Sequence, residues 1–193
     1  MSTLVLTAHP DPDSLTHEAA RRLSARLDDV VVGHLAQEDF DPRWSPADRV
    51  DYADRTMTSP DVLAEQARVD AVDDLVLVFP VYWWSVPALM KGWIDRVLIA
   101  PWAFDYDADD RVLPRLQRLT CHLVAVSGTE AGSWERHGYS GSFSTQLEHG
   151  VMDFCGMRRG VTAVVHDVES GDDVAVADRL DQAVDAVVGA IGG

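Results

Sequence analysis

The feature that most restricts this chain is an alternation: five short apolar runs, each separated from the next by a stretch of helical period. Residues 4–8, 30–35, 75–79, 122–126 and 161–166 are of strand length and apolar at successive positions rather than at every second one. Both faces of such a strand must be buried, which requires a parallel sheet with helices packed on its two sides. The intervening stretches supply them, predicting helices over 15–27, 61–72, 87–99, 144–155 and 173–188. Five parallel strands joined in this way favour the doubly wound order 2-1-3-4-5. The 193 residues fit one domain spanning 1–193, long enough to bury a sizeable core.

Two intervals, 37–60 and 100–114, have no clear period and carry many Asp, Pro and aromatic residues. Neither is Gly/Ser-rich or poor in apolar residues, so both read as excursions from the domain and not as linkers.

In an open parallel sheet of this order a ligand lies beyond the carboxyl ends of the strands, where the strand order reverses. The loops after the first, third and fourth strands meet there. In the first, Ser14 and Thr16 stand where a helix begins; its free N–H groups and dipole make an anion site, to which His9 adds a donor. Simple capping by Ser14 explains the same residues, and Asp11 and Asp13 oppose an anion unless they turn to solvent. The second loop, Pro80-Val81-Tyr82-Trp83-Trp84-Ser85, is less ordinary, because three consecutive aromatic side chains are costly to leave in water. A planar ligand or a partner subunit covering them accounts for the pattern, with a structural plug as the alternative. The third, Ser127-Gly128-Thr129-Glu130, has a glycine where backbone approaches a flat ligand closely, or else forms an ordinary turn. A phosphate cradle, an aromatic wall and a backbone edge around one cleft suit an isoalloxazine ring with a ribityl phosphate tail.

Composition narrows the partners. A formal charge of -16, with Lys91 the single lysine, argues against nucleic acid and anionic membrane surfaces, which need a basic footprint. Cys121 and Cys155 lie far apart in apolar runs and read as core residues of a reducing compartment. Without a basic n-region or an apolar run of about 18 residues, a soluble cytoplasmic protein is expected, with no integral membrane segment. No metal is expected either: the histidines lack H-E-x-x-H spacing, and the acidic run 105–110 lacks the glycine and closing glutamate of a calcium loop. There is no G-x-S-x-G elbow of a hydrolase.

The stretch FPVYWWSVPALMKGWIDRV, together with AHPDPDSLTHEAA, SPDVLAEQARVDAVDDLV and LEHGVMDFCGM, resembles the NAD(P)H:quinone oxidoreductases of the DT-diaphorase type and their bacterial relatives, the modulators of drug activity and the potassium-efflux ancillary flavoproteins. The resemblance implies a flavodoxin-like three-layer sandwich, a homodimer, FAD or alternatively FMN as cofactor, and NAD(P)H as co-substrate. It further implies two-electron, ping-pong reduction of a quinone-like acceptor. On this resemblance His9, Ser14, Leu15 and Thr16 match the flavin-phosphate loop, and Pro80, Val81, Tyr82, Trp83 and Trp84 the loop along the flavin edge. Ser127, Gly128 and Thr129 match the loop near the pyrimidine end, where their N–H groups would stabilise negative charge on the reduced ring. Phe104 and Tyr106 match aromatics that, with Trp84, cover the acceptor pocket across a dimer. Trp134 stands in the place of a tyrosine that assists hydride transfer in many relatives, and His137 and Tyr139 are the neighbouring candidates for donating a proton. The third loop departs from the family's T-T-G-G, and the region after Asp41 is shorter than in eukaryotic members, which leaves FAD and FMN both open.

Two other readings compete: a flavodoxin-type electron carrier, and a regulatory flavoprotein subunit of a membrane transporter. The aromatic loops, which describe a covered pocket for a small planar substrate, favour the oxidoreductase. Within 87–99, Leu89, Trp93 and Val97 form an apolar stripe that is either core or, with Trp102, a two-fold contact. Ser85 is the expected cap of that helix, and Lys91 and Asp95 a surface pair.

Overall fold

The computed structural model describes residues 1–56 and 59–193; Met57 and Thr58, within the first aperiodic interval, lie outside the described residues. The chain runs β1 (Thr3–Thr7), α1 (Leu15–Ser24), β2 (Val30–His34), α2 (Pro46–Asp54), α3 (Pro60–Asp70), β3 (Asp74–Pro80), α4 (Ala88–Val97), β4 (Phe104–Tyr106) and β5 (Val112–Pro114). It continues through β6 (Thr120–Val126), α5 (Ala131–His137), α6 (Tyr139–Phe143), a π-helical segment (Ser144–Asp153), β7 (Arg158–Val165) and α7 (Asp173–Gly192). The parallel sheet has the order β2-β1-β3-β6-β7, which is the expected 2-1-3-4-5 once the antiparallel β4–β5 hairpin is set aside.

Successive residues of each central strand serve opposite cores. Leu4, Leu6, Leu75, Leu77 and Leu123 pack with Val69 of α3 and with Met90, Trp93 and Val97 of α4. Val5, Val76, Val78 and Val124 face the other way, onto Ala19, Ala20 and Leu23 of α1 and Leu180, Val184 and Val187 of α7. That division makes the three-layer sandwich and explains why the strands are apolar at every position.

Several expectations need correction. The helix expected at 87–99 starts at Ala88 with Pro87 as its N-cap; Ser85 lies in the preceding turn, where its hydroxyl donates to Gln146, and does not cap. Trp93 is buried in its own chain with Nε1 donating to Glu65 Oε2 at 2.7 Å, so the stripe is core and leaves no Trp93 surface for a second subunit. The helix expected over 144–155 widens to π pitch and is preceded by α5 and α6, broken from each other at Gly138 with φ 71°. Lys91 and Asp95 form their pair at 2.5 Å.

The interval 37–60 is held by charge. Ser45 and Asp48 form a capping box at the start of α2, and Asp48 also accepts from the buried Arg96, whose Nε and Nη2 lie 3.0–3.1 Å from its oxygens. Arg96 Nη1 donates to Asp61 at 2.6 Å and to the Asp41 carbonyl at 2.7 Å, which ties the excursion to α4.

A second buried polar pair joins the interior strands β3 and β6. Val161 N–H donates to His122 Nδ1 at 3.0 Å, so the ring carries its hydrogen on Nε2, which faces Asp74 Oδ1 at 3.2 Å. Gly160 is required beside it, because an added Cβ would come within 2.4 Å of His122 Nδ1. Burial outweighs the Asp74 carboxylate and holds the His122 pKa below the usual histidine value. The unfolded chain then takes up a proton before the folded one as pH falls through about 6.5, so folding stability declines across that window. The thermal midpoint is expected to fall between pH 8 and pH 5.5, and less steeply in His122→Gln; a midpoint constant or rising on acidification would contradict this.

Candidate functional site

The carboxyl ends of β1, β3 and β6 open into a cleft of about 240 Å³. The loop after β1 contributes His9, Ser14, Leu15 and Thr16; the loop after β3, Pro80, Val81 and Tyr82; the end of β6, Val126 and Gly128. All three expected loops therefore meet. A fourth, after β7, adds Val168 and Glu169, which were not anticipated from the sequence. The carboxyl-end rule applied to the last strand as well would have found it. The Glu169 carboxyl group lies close beside Gly128, 2.9 Å from where a Cβ would stand, so a side chain here would have to displace the exposed Glu169 carboxylate.

In the first loop Ser14 caps α1, its Oγ accepting from His17 N–H at 3.4 Å. Asp11 is turned back into the loop, where its carboxylate accepts from Asp13 N–H at 2.9 Å. The Asp11 amide donates to His9 Nδ1 at 3.0 Å, leaving the hydrogen of the neutral His9 ring on Nε2 as a donor. Thr16 is buried, so what it offers an anion is backbone N–H at the helix start.

The second loop is a tight turn. Tyr82 N–H donates to Ser85 O and Ser85 N–H to Tyr82 O, both at 3.1 Å, while Trp83 and Trp84 have φ of 51° and 57°. Two consecutive left-handed residues are the geometry of a type I′ turn, whose usual occupants are Asn and Gly. Trp83 stands 87% exposed and Tyr82 50%. Trp84 instead folds back onto the Tyr139 ring, 3.9 Å between centroids and 21° between planes, and Tyr139 in turn stacks on His137 at 5.4 Å.

The third loop is braced from below. Trp134 is only 1% exposed, and its Nε1 donates to Ser127 Oγ at 3.3 Å. The expectation that Trp134 takes part in catalysis is therefore corrected: a ring enclosed by core cannot touch a substrate, and it acts as a strut under the loop. Ser127 N–H donates to the Val165 carbonyl and Thr129 N–H to Ser127 Oγ, so neither of these two amides is free to meet a ligand.

The model of the flavodoxin-like fold matches residues 1–188. Ribosyldihydronicotinamide dehydrogenase (quinone) of Pongo abelii is 32% identical over 183 aligned residues, which cover 80% of this chain and 77% of the relative. The chain belongs to the flavodoxin-like NAD(P)H:quinone oxidoreductase family. Solved structures that share its fold include the following two. NAD(P)H:quinone oxidoreductase from Methanothermobacter marburgensis superposes with a TM-score of 0.86 at 23% identity over 97% of this chain and 98% of that one. An FMN-dependent NADH-azoreductase from Bacillus anthracis, solved in complex with FMN, does so with a TM-score of 0.75 at 15% identity over 100% of both chains.

For a member of this family, the aromatic pair Phe104 and Tyr106 occupies an instructive place. Neither lines the three-loop cleft. Phe104 packs edge-on against Phe154 at 4.9 Å and helps line a separate apolar groove of about 390 Å³ with Trp44, Tyr52, Ile94 and Leu98. Within one chain, then, Trp84 is not joined by Phe104 and Tyr106 in an acceptor pocket. Cys121 and Cys155 are buried, and burial pushes both thiols up to about 12, so neither serves as a thiolate. Among the described residues, no helix is long and apolar enough to cross a membrane.

The left-handed backbone of Trp83 is costly for a side chain that buries almost nothing. Trp83→Asn, which tolerates this conformation, is expected to raise unfolding free energy by about 0.5–1 kcal/mol in urea titrations. A loss of stability of that size would mean that the indole holds the turn after all.

Proposed function

We propose that the chain is an NAD(P)H-dependent flavoprotein that reduces quinones, or related planar acceptors such as azo and nitro compounds, by two electrons. The observation that carries this reading is the meeting of a capped helix start, an aromatic turn and a glycine edge in one switch-point cleft of a family member. The donors present suit a flavin: the His9 Nε2–H and the N–H groups of Leu15 and Thr16 for the phosphate, the 80–82 backbone for the ring edge, and the Glu169 carboxylate as an acceptor for ligand hydroxyl or N–H groups. FAD and FMN share the ribityl phosphate that this loop would hold.

The bound isoalloxazine would supply the redox chemistry, taking a hydride from NAD(P)H and giving it to the acceptor. The protein's own part is orientation and exclusion of water. With a flavin bound, Val81 and Tyr82 would wall the ring edge, the Gly128 N–H would meet developing negative charge, and the exposed Trp83 would be available to cover one side. Tyr139, held by its stack on Trp84, is the proton donor to the acceptor, with His137 behind it. NAD(P)H and acceptor use the same space in turn, giving ping-pong kinetics. The chain works in the cytoplasm as a homodimer joined through the apolar groove of Trp44, Tyr52 and Phe154, so that Phe104 and Tyr106 complete the partner's acceptor pocket.

Purified protein should carry a yellow cofactor identifiable by mass, bleach with NADPH under anaerobic conditions, and recover its absorbance on adding a quinone. Tyr139→Phe should keep the stack and the bleaching but slow the recovery by about 10- to 100-fold. Protein that binds no flavin, or flavin that NADPH does not bleach, would contradict the reading.

A further inference from the structure

His17 is a buried polar group with no role in the account so far. It lies on α1 one turn beyond Ser14, is 3% exposed, and its ring meets polar groups from β1, β2 and the start of the excursion. Its hydrogen positions follow from its neighbours. Gln37 Nε2 donates to the Pro10 carbonyl at 3.2 Å, and because a carbonyl only accepts, the amide orientation is fixed with Oε1 toward His17 Nε2, also at 3.2 Å. Nε2 therefore carries a hydrogen. In the neutral ring Nδ1 is then bare, and the Ser14 hydroxyl, 3.0 Å away, must donate to it. Ser14 Oγ also accepts from the His17 amide. The one hydrogen of Ser14 is thus turned into the protein, and its remaining lone pair is what faces the cleft. A phosphate oxygen is repelled by that arrangement.

A second hydrogen on the ring reverses the bond. Nδ1–H then donates to Oγ, the serine hydrogen is released toward the cleft, and a positive charge stands beneath the helix start; all three changes favour an anion. We propose that His17 is the positioning residue of the phosphate loop: a phosphate binding at Ser14 to Thr16 draws one proton from solvent onto His17 Nδ1, and that proton turns the Ser14 hydroxyl toward the ligand. The inference rests on the reading of this loop as the phosphate end of the flavin cleft. Linkage makes the effect reciprocal, since each of the two ligands, proton and phosphate, tightens the other by the same factor.

The surrounding charges are compatible with one added proton. The His34 ring lies 4.6 Å from His17 and the His9 ring 6.4 Å, and either in cationic form would oppose it. His34 is held below the usual histidine value by burial and by the His17 charge, and Thr7 Oγ1 bridges the two, 2.7 Å from His34 Nδ1 and 3.4 Å from His17 Nε2. Arg21 opposes and Glu38 favours positive charge at this cluster. Glu18 is engaged by Arg21 and Arg22, and Asp11 and Asp13 are the acids of the loop itself.

The test is calorimetric titration of the flavin-free full chain with FMN and with riboflavin, at pH 7.5 in two buffers of different ionisation heat. The FMN phosphate, with a second pKa near 6, is already dianionic at that pH. FMN is expected to take up close to one proton more than riboflavin, its Kd weakening up to tenfold per pH unit above neutrality. His17→Asn should abolish the excess while still binding FMN, and Ser14→Ala, which keeps the ring but removes the hydroxyl, should lose most of it. The comparison of the variants with wild type stands alone if riboflavin binds too weakly to titrate. An excess that survives His17→Asn, or equal proton counts for the two flavins, overturns the proposal and leaves the flavin reading intact. If neither flavin binds, the reading of the cleft fails and the proposal fails with it.

Discussion

Burial of both faces of β1, β3 and β6 is the constraint on which the rest of the molecule depends. Leucines of these strands fill one core and valines the other, so helices must cover the sheet on two sides and every connection must cross over. With the strands parallel, their carboxyl ends lie along one edge, and β1 and β3, adjacent in the sheet, send their helices to opposite faces. The cleft opens between these diverging connections. Site and core thus have a single origin.

The same core supports the one strained element of the site. A left-handed conformation costs about 1–2 kcal/mol per residue, whereas each fully buried Leu or Val contributes about 1.5–3 kcal/mol. With β3 buried along all of its length, the sheet absorbs the strain at Trp83 and Trp84. The Trp84–Tyr139 stack and the Ser85–Gln146 bond then hold the turn from the side of α6 and the π-helical segment. Glycine or asparagine would make this turn at less cost, so the exposed indole of Trp83, unlike the stacked Trp84, points to what the turn presents and not to how the chain folds.

How much of this was legible in the sequence varied with the kind of signal. The three cleft loops were, because continuous apolar runs mark buried parallel strands and topology then says where they end. The α2 helix was missed although Ser45 and Asp48 spell a capping box, since its few apolar residues show no period. The β4–β5 hairpin is three residues a side, and α5 and α6 are broken by Gly138, so neither reaches the length at which periodicity speaks. Trp134 was misread for a different reason: matching it to a relative's tyrosine carries over a position but not a side-chain direction, and this indole turns inward to Ser127. His17 gave no signal at all. Its meaning depends on Gln37 and Pro10, which only the folded loop brings beside it.

The account stands or falls on where a flavin binds, and a crystal structure of the full chain grown with FMN tests that most directly. The phosphate is predicted at the N–H groups of Leu15 and Thr16 beside His9, with the ring along Pro80 to Tyr82 and its edge at Gly128. Flavin bound instead in the groove of Trp44, Tyr52 and Phe104, or bound with its phosphate away from α1, would contradict it.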